Sequence, residues 1–316
     1  MKGLMVKELD RKKYRRVLIF ASIGIFIAAL FGLARATGYI EHKSLAVLKQ
    51  GEALEQSNPN KAIVDYQIAL FLSPQNEEII NHLANLYWAT SRSNSAIAIL
   101  KRLPIEVSGI KIAKIQLEAK QYQDCINTTD KLLKIETSIE ALIIKSKALL
   151  ELGNLDEAIS VMRVALADSP SNLASQIQLG SIYALENKNS ELSALIKTAS
   201  NSQVVIVLNK FLVSKLVLAQ TFYNQGLLLS AEKALSQCHD ENAQRYILLA
   251  KIQLAAKKPT AQALQSAREA LEKVIVLTPA NIEARIMLKD LYIKLGDQAK
   301  ATEQNNLIKQ LQNGNI

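Results

Sequence analysis

Cysteine and histidine are scarce in this chain, which has two of the former and three of the latter in 316 residues. Cys125 and Cys238 do not form a Cys-x-x-Cys pair, so the spacing typical of zinc ribbons and thioredoxin-type redox motifs is absent. His42, His82 and His239 are far apart along the chain, and we expect no site that they share. The residues after Cys238 include ligand types, but four consecutive residues do not converge easily on one tetrahedral ion. The sequence predicts no metal centre.

The short motifs of common catalytic and nucleotide sites are also missing. The chain contains no phosphate-binding glycine loop, no dinucleotide-binding glycine fingerprint, no nucleophile elbow and no H-E-x-x-H zinc motif. These absences argue against an enzyme. The sequence therefore predicts a protein that uses no cofactor and acts on no small-molecule substrate.

Prolines and glycines number only six and eleven, and most lie between stretches of helical periodicity. Strand signals are scarce as well. The best β-branched run is Val204–Leu208, which we interpret as helix because helical segments flank it. An apolar share of 49% with 21% charged residues is typical of an ordered protein. Together these features predict an all-α fold.

The net charge of +9 is concentrated at the N-terminus. Residues 1–16 hold seven basic and two acidic residues, a net +5, which leaves +4 for the other 300 residues. Those remaining basic residues are spread along the chain, which disfavours a nucleic-acid partner. The basic N-terminus is better explained by the segment that follows it.

That segment, residues 17–34, reads VLIFASIGIFIAALFGLA and contains no charge. As a helix it would span about 27 Å, close to the thickness of the hydrocarbon core of a bilayer. Tyr14 and Tyr39 flank it, as interfacial aromatic residues do. We predict a basic cytoplasmic tail at 1–16, a transmembrane helix at 17–34 and a short linker at 35–42. The excess of basic residues on the N-terminal side places the rest of the chain outside the cytoplasm, in a periplasm or at the cell surface.

A cleaved signal peptide is the alternative interpretation of this segment. Ala34 and Ala36 supply the small residues of an A-x-A cleavage site. However, the apolar run is longer than the usual 7–15 residues of a signal peptide. We therefore favour an uncleaved anchor.

One 21-residue stretch, LELGNLDEAISVMRVALADSP, reads as a helix end, a turn, a second helix and a stop. Gly153 permits a left-handed turn at the end of the first helix. Asn154 is placed to cap the second helix, with Glu157 reaching back to it. Ala158 starts an apolar face lined by small residues, and Pro170 ends the unit. A hairpin of this size needs neighbours of its own kind to bury that face.

The pattern of this stretch recurs along the chain. The residues equivalent to Ala158 are spaced by 34, 29, 33, 34, 39, 36 and 34, and they are Ala62, Ala96, Cys125, Ala158, Leu192, Ala231, Ala267 and Ala301. Pro74, Pro170 and Pro279 close three of the units. Cys125 and Cys238 both fall on small-residue packing positions three repeats apart, so we expect buried thiols without a disulfide.

This recurrence over residues 43–316 resembles the tetratricopeptide repeat (TPR), a helix–turn–helix unit of 34 residues. The resemblance implies a right-handed α-solenoid of about eight repeats that follows the transmembrane helix. The alternative is an amphipathic hairpin bundle without repeats.

In TPR proteins the first helix of each unit lines a concave groove. The resemblance therefore implies a protein-binding groove whose side chains include Asn81, Asn85, Trp88, Lys114, Lys147, Gln220 and Tyr223. Ser181 and Lys251 occupy equivalent positions in two further units. Asparagine amides pair with a peptide backbone, and lysines pair with carboxylates. The alternative is that Trp88 packs between repeats and that the lysines are simply solvated.

The resemblance also implies a function. We expect a non-enzymatic, membrane-anchored scaffold or chaperone-like adaptor that binds proteins or peptides, above all membrane or envelope proteins. Envelope assembly, secretion and pilus biogenesis are processes served by similar proteins. Two alternatives remain: a cytoplasm-facing TPR adaptor for membrane enzymes, and a non-catalytic accessory subunit of an enzyme complex.

Overall fold

The computed structural model describes residues 20, 22–30, 32–33, 38–256 and 258–313. Within these residues the chain is helical apart from turns and loops, and it contains no strand. The predicted tail at 1–16 lies outside the described residues. The chain divides into two compact units, Met1–Ile115 and Gln116–Ile316.

The helices of the first unit are α1 (Tyr39–Leu54), α2 (Pro59–Leu72), α3 (Glu77–Ala89) and α4 (Ser93–Leu100). Helix α5 (Ile105–Glu118) begins in the first unit and ends in the second. The helices that follow are α6 (Tyr122–Leu133), α7 (Ile139–Glu151), α8 (Leu155–Asp168), α9 (Leu173–Leu185), α10 (Asn189–Thr198), α11 (Ser202–Val213), α12 (Lys215–Asn224), α13 (Leu228–Ser236), α14 (Ala243–Leu254), α15 (Ala261–Leu277), α16 (Ile282–Leu295) and α17 (Gln298–Gln312).

Short polar side chains start many of these helices. Each accepts a hydrogen bond from a first-turn backbone N–H, which satisfies an amide that has no partner inside the helix. The capping residues are Asn58, Asn76, Ser138, Asn172, Asn201, Ser214, Asn242, Thr260, Asn281 and Asp297. The starts of these ten helices therefore follow from the local sequence.

The predicted turn before α8 is confirmed in part. Gly153 adopts the left-handed conformation, with φ of 81°. The predicted capping box is wrong, because the side chain of Asn154 makes no capping hydrogen bond. Glu157 instead lies 3.6 Å from the Nζ atom of Lys145 on α7. The carboxylates in the first turn of α8 complement the positive end of the helix dipole in place of the cap.

The small residues that set the repeat phase are confirmed as packing positions. Every one of the eight lies in the second helix of a hairpin and is at most 2% exposed. The described helices other than α11 form eight consecutive pairs: α1–α2, α3–α4, α5–α6, α7–α8, α9–α10, α12–α13, α14–α15 and α16–α17. The sequence thus identified each hairpin by a buried residue of its second helix.

Helix α11 is an extra helix between the fifth and sixth pairs. It accounts for the long spacing of 39 between Leu192 and Ala231, which the repeat pattern did not explain. The interpretation of Val204–Leu208 as helix is confirmed. Residues Val204, Leu208 and Phe211 share one face of α11, and all three are buried.

Helix α9 is the centre of the second unit. It contacts α7, α8, α10, α11, α12 and α13. Ten of its 13 residues are buried, including Gln178 and Ser181. Gly180 allows Leu208 of α11 to approach closely, since a Cβ atom there would overlap the Leu208 side chain. A helix buried nearly all round has no face left for a ligand.

Helices α7 and α13 are also in contact, although the α9–α10 pair lies between them in sequence. A simple solenoid joins each repeat only to its neighbours. Here the α12–α13 pair packs against α9 and reaches α7. Lys215 donates to the backbone carbonyl of Ala184, and Gln237 donates to that of Leu185 at 3.1 Å. These bonds hold α12 and α13 at the C-terminal end of α9.

The carboxylate of Glu151, the last residue of α7, lies at the N-terminus of α13. It accepts hydrogen bonds from the backbone N–H groups of Leu229 (3.2 Å) and Ser230 (3.0 Å). The hydroxyls of Ser230 (2.9 Å) and Tyr122 (3.2 Å) also donate to it. Glu151 is 4% exposed, and a buried charge is tolerated only when it is partnered in this way. Helix α13 has no side-chain cap from Leu227, so Glu151 supplies one from 78 residues away.

No single helix among the described residues is long and apolar enough to cross a membrane. Within the predicted span at 17–34, the described residues are helical and exposed. Helices α11 and α12 together have sufficient length and apolar composition, but they are bent by 119° relative to each other.

We predict that Glu151→Gln destabilises the second unit. An amide supplies one acceptor oxygen in place of two and turns its NH₂ group toward backbone N–H donors, so we expect a loss of about 2–3 kcal/mol in the free energy of unfolding. Amide hydrogen exchange should accelerate at Leu229 and Ser230. Glu303→Gln, a matched change at an exposed position of α17, should have no effect. Unchanged exchange at both amides in Glu151→Gln would contradict the capping role.

We predict that Gly180→Ala destabilises the chain by about 1–3 kcal/mol, because the new methyl group overlaps a Leu208 side chain that is fully buried. In a Leu208→Ala background the same change should cost less than about 0.5 kcal/mol, since alanine is the better helix former. A double-mutant cycle from urea unfolding measures both costs. Equal costs in the two backgrounds would argue against this contact.

Candidate protein-binding surface

The predicted groove residues of the first unit lie on α3 and α5. Asn81 and Asn85 are one turn apart on the same face of α3, and Trp88 follows on that face. Lys111 of α5 donates a hydrogen bond from Nζ to the Oδ1 atom of Asn81, at 2.8 Å. This bond joins two successive first helices of the repeat. Asn85 and Lys114, one turn further along their helices, are exposed.

Trp88 is half-buried and packs against the apolar core of the first unit. Its indole therefore contributes to packing, as the alternative interpretation expected, while part of the ring stays accessible. Partly exposed aromatic rings are enriched at protein-binding surfaces. We call the set Asn81, Asn85, Trp88, Lys111 and Lys114 the first-helix face.

Lys111 is a member of the first-helix face that the sequence reasoning missed. That reasoning took one lysine from α5 by its position in the repeat, and this selected Lys114. Burial lowers the pKa of Lys111, and the nearby carboxylate of Glu77 opposes that shift. The signal available in the sequence was the spacing of three residues from Lys114, which places both lysines on one side of the helix.

The predicted site residues of the second unit have different surroundings. Lys147 is half-buried on α7, and Tyr223 is half-buried on α12. Gln220 is exposed and donates to Asn224 of its own helix at 2.8 Å. Ser181 is fully buried on α9, so it cannot contact a ligand directly.

Lys251, at the equivalent position of α14, forms an ion pair with Glu283 at 2.7 Å. Its ammonium group therefore links two successive first helices, α14 and α16, as Lys111 links α3 and α5. Polar side chains at these positions hold neighbouring repeats together as well as facing outward. On the first-helix face, the Lys111–Asn81 hydrogen bond links two helices, and the polar side chains of Asn85 and Lys114 next along those helices are exposed.

The two cysteines are buried and form no disulfide with each other, as expected. Burial raises the pKa of the Cys125 thiol to about 12. Burial likewise raises the pKa of Cys238. Nucleophilic cysteines require the opposite shift, toward a stable thiolate. The thiols therefore serve as small packing groups in their hairpins.

No family model matches the chain, and no curated protein matches it in sequence. Among solved structures, a tetratricopeptide repeat protein from Parabacteroides merdae is similar to 79% of this chain and 99% of its own length, at 13% identity and a TM-score of 0.47. YrrB, a TPR protein with an unusual peptide-binding site, is similar to 57% of this chain and 97% of its own, at 15% identity and a TM-score of 0.41.

A human IFIT1 dimer with PPP-AAAA is similar to 85% of this chain and 72% of its own, at 15% identity and a TM-score of 0.41. Two of these three neighbours are named as TPR proteins. Similarities this distant say nothing about what the present chain binds.

We predict that Cys125 resists alkylation in the folded chain. A pKa of about 12 reduces its thiolate fraction at pH 8 by about three orders of magnitude relative to an ordinary thiol. Iodoacetamide at pH 8 should therefore label the native Cys238→Ser variant about 10³-fold more slowly than the same variant in guanidinium chloride. Mass spectrometry of the labelled peptide gives both rates. Rapid native labelling would show that Cys125 is accessible.

Proposed function

We propose that this chain is a non-enzymatic member of the tetratricopeptide repeat family, anchored in a membrane by residues 17–34, that holds protein partners on its first-helix face. The observation that carries the proposal is the arrangement of that face. Lys111 donates a hydrogen bond to Asn81, the side chains of Asn85 and Lys114 are exposed, and the half-buried Trp88 follows Asn85 on the same face of α3. Exposed amide and ammonium groups next to an aromatic ring suit an extended peptide that carries carboxylates.

The repeat family is supported by the hairpins themselves. Eight small or aliphatic residues, chosen from the sequence by their spacing, are all buried in the second helix of a hairpin. The spacing of 34 residues that recurs between them is that of the tetratricopeptide repeat.

The membrane anchor is supported by exposed apolar side chains. Described helical residues within 17–34 leave large apolar groups uncovered by the rest of the chain, and these are Phe20, Ile23, Ile25, Phe26, Ile27, Leu30 and Leu33. An exposed apolar surface of this kind requires lipid or another protein. The basic residues that precede it favour a cytoplasmic N-terminus, with the repeats in the periplasm or at the cell surface.

Anchoring gives the proposed scaffold its advantage. A groove tethered to the bilayer meets membrane-bound or envelope partners at a high effective concentration, so modest affinity suffices. Envelope assembly, secretion and pilus biogenesis are processes in which such a tether would be useful. The cytoplasm-facing adaptor differs from this proposal in topology, because its repeats would lie in the cytoplasm. The accessory subunit differs in stoichiometry, because it would bind its enzyme in a fixed ratio.

We expect a photo-reactive amino acid at position 85 to cross-link membrane or envelope proteins in intact cells. The same residue at position 306, exposed on α17, is the matched control and should not cross-link those proteins. Trp88→Ala, combined with the reactive residue at position 85, should reduce the yield several-fold. Equal products from positions 85 and 306 would show that the first-helix face is not the binding surface.

Topology needs a separate measurement on the same strain. An epitope tag at the C-terminus should be digested by protease added outside the inner membrane, while a cytoplasmic marker remains intact. Protection of the tag would support the cytoplasm-facing adaptor instead. A partner that co-purifies with the chain at fixed stoichiometry and supplies an enzymatic activity would support the accessory subunit.

A further inference from the structure

Five side chains with oxygen or nitrogen ligand atoms converge at the start of the first unit. Glu52 comes from the C-terminal end of α1, and Glu55 caps that end. Tyr66 comes from α2, where it is fully buried. Glu78 and His82 are one turn apart on α3, so both point to the same side of that helix. Three consecutive helices thus bring these groups to one place.

The imidazole of His82 contacts a carboxylate through its Nδ1 atom. Its Nδ1 atom lies 3.2 Å from the Oε1 atom of Glu55, and the hydroxyl of Tyr66 donates to that same oxygen. Burial and the hydrogen bond to Glu55 raise the pKa of Tyr66, so the phenol stays protonated and remains a donor. A carboxylate on Nδ1 orients the ring and favours the tautomer that carries its proton there, in which the second nitrogen has the lone pair.

That second nitrogen faces another carboxylate. The Nε2 atom of His82 lies 3.5 Å from the Oε1 atom of Glu52. Ligand atoms of Glu52, Glu78 and His82 all lie within 4.8 Å of one another. A lone pair set against a carboxylate oxygen repels it unless a cation lies between them. Neighbouring ligands of a tetrahedral zinc ion, with bonds of ~2.0–2.1 Å, are ~3.4 Å apart, close to the Glu52–His82 separation.

We propose that Glu52, Glu78 and His82 form a binding site for a divalent transition-metal ion of the zinc class, completed by water. Glu55 and Tyr66 act as positioning residues, because they orient His82 without contacting the ion. Three carboxylates around one imidazole favour a dication in electrostatic terms. The imidazole ligand favours zinc, iron or nickel over magnesium or calcium.

The proposed ion would tie the end of α1 to α3 across the first hairpin. It therefore has a structural consequence, since an ion that binds only the folded chain raises its stability. The site belongs to the first unit and does not depend on the proposed membrane anchor or on the binding of protein partners. The rival explanation is a protonated His82 that forms ion pairs with Glu52 and Glu55 and binds no metal.

The test is isothermal titration of the chelator-treated full-length chain with Zn²⁺. We expect one ion per chain bound through His82. His82→Gln should weaken binding by at least about 100-fold, and Glu55→Gln should weaken it by about 10–100-fold. Glu78→Gln changes an exposed side chain and should weaken binding without affecting the fold. His42→Gln, on an exposed histidine of α1, is the matched control and should bind zinc as the wild type does.

Two further readouts separate the site from a merely structural role of His82. Zinc should raise the melting temperature of the wild type and of His42→Gln, but not that of His82→Gln. Nuclear magnetic resonance of the His82 ring should show a proton on Nδ1 and none on Nε2 in the zinc-bound chain. The proposal is overturned if no saturable binding occurs, or if binding persists unchanged in His82→Gln and Glu78→Gln.

Discussion

The fold depends on the burial of one side chain, small in all cases but one, in the second helix of each hairpin. Alanine fills this position in six hairpins and cysteine in a seventh, and none of these residues is more than 2% exposed. Leu192 is the exception, and there the space comes from its partner helix. Gly180 of α9 lies where a Cβ atom would contact Leu192 and overlap Leu208. The requirement for a small residue is thus met from the opposite side of the hairpin.

The glycine at position 180 also explains how the second unit differs from a simple repeat. With glycine at position 180, α9 accepts a third helix, α11, against a face that a side chain would otherwise occupy. Helices α12 and α13 then pack on α9 and reach α7, where the buried carboxylate of Glu151 caps α13. The second unit is therefore closed by contacts between repeats that are not neighbours in sequence. Polar groups at the first-helix positions of α9 become core residues, as Ser181 illustrates.

The sequence predicted what depends on local pattern. The helices, the hairpins and the buried position of each small residue follow from spacing alone, and Val204–Leu208 was correctly interpreted as helix. Periodicity identifies the buried face of α11 but not the helix that covers it, so the closure around α9 could not be predicted. Glu151 and Ser230 are 79 residues apart, and no spacing rule connects them. The same limit applies to Glu52 and His82, whose relation exists only after α1 and α3 pack together. Asn154 shows that even a local rule fails when acidic residues in the first turn serve the same end of the helix.

The long-range cap by Glu151 also bears on how the chain folds during synthesis. In an ordinary helical repeat, each hairpin can settle onto the one before it as soon as it leaves the ribosome. Here the carboxylate acquires its partners on α13 only after 79 further residues have been made. Until then α9 lacks the full cover of α12 and α13, which follow it in sequence. Residues 151–230 therefore form a stretch whose packing is completed only when the chain has been made as far as Ser230.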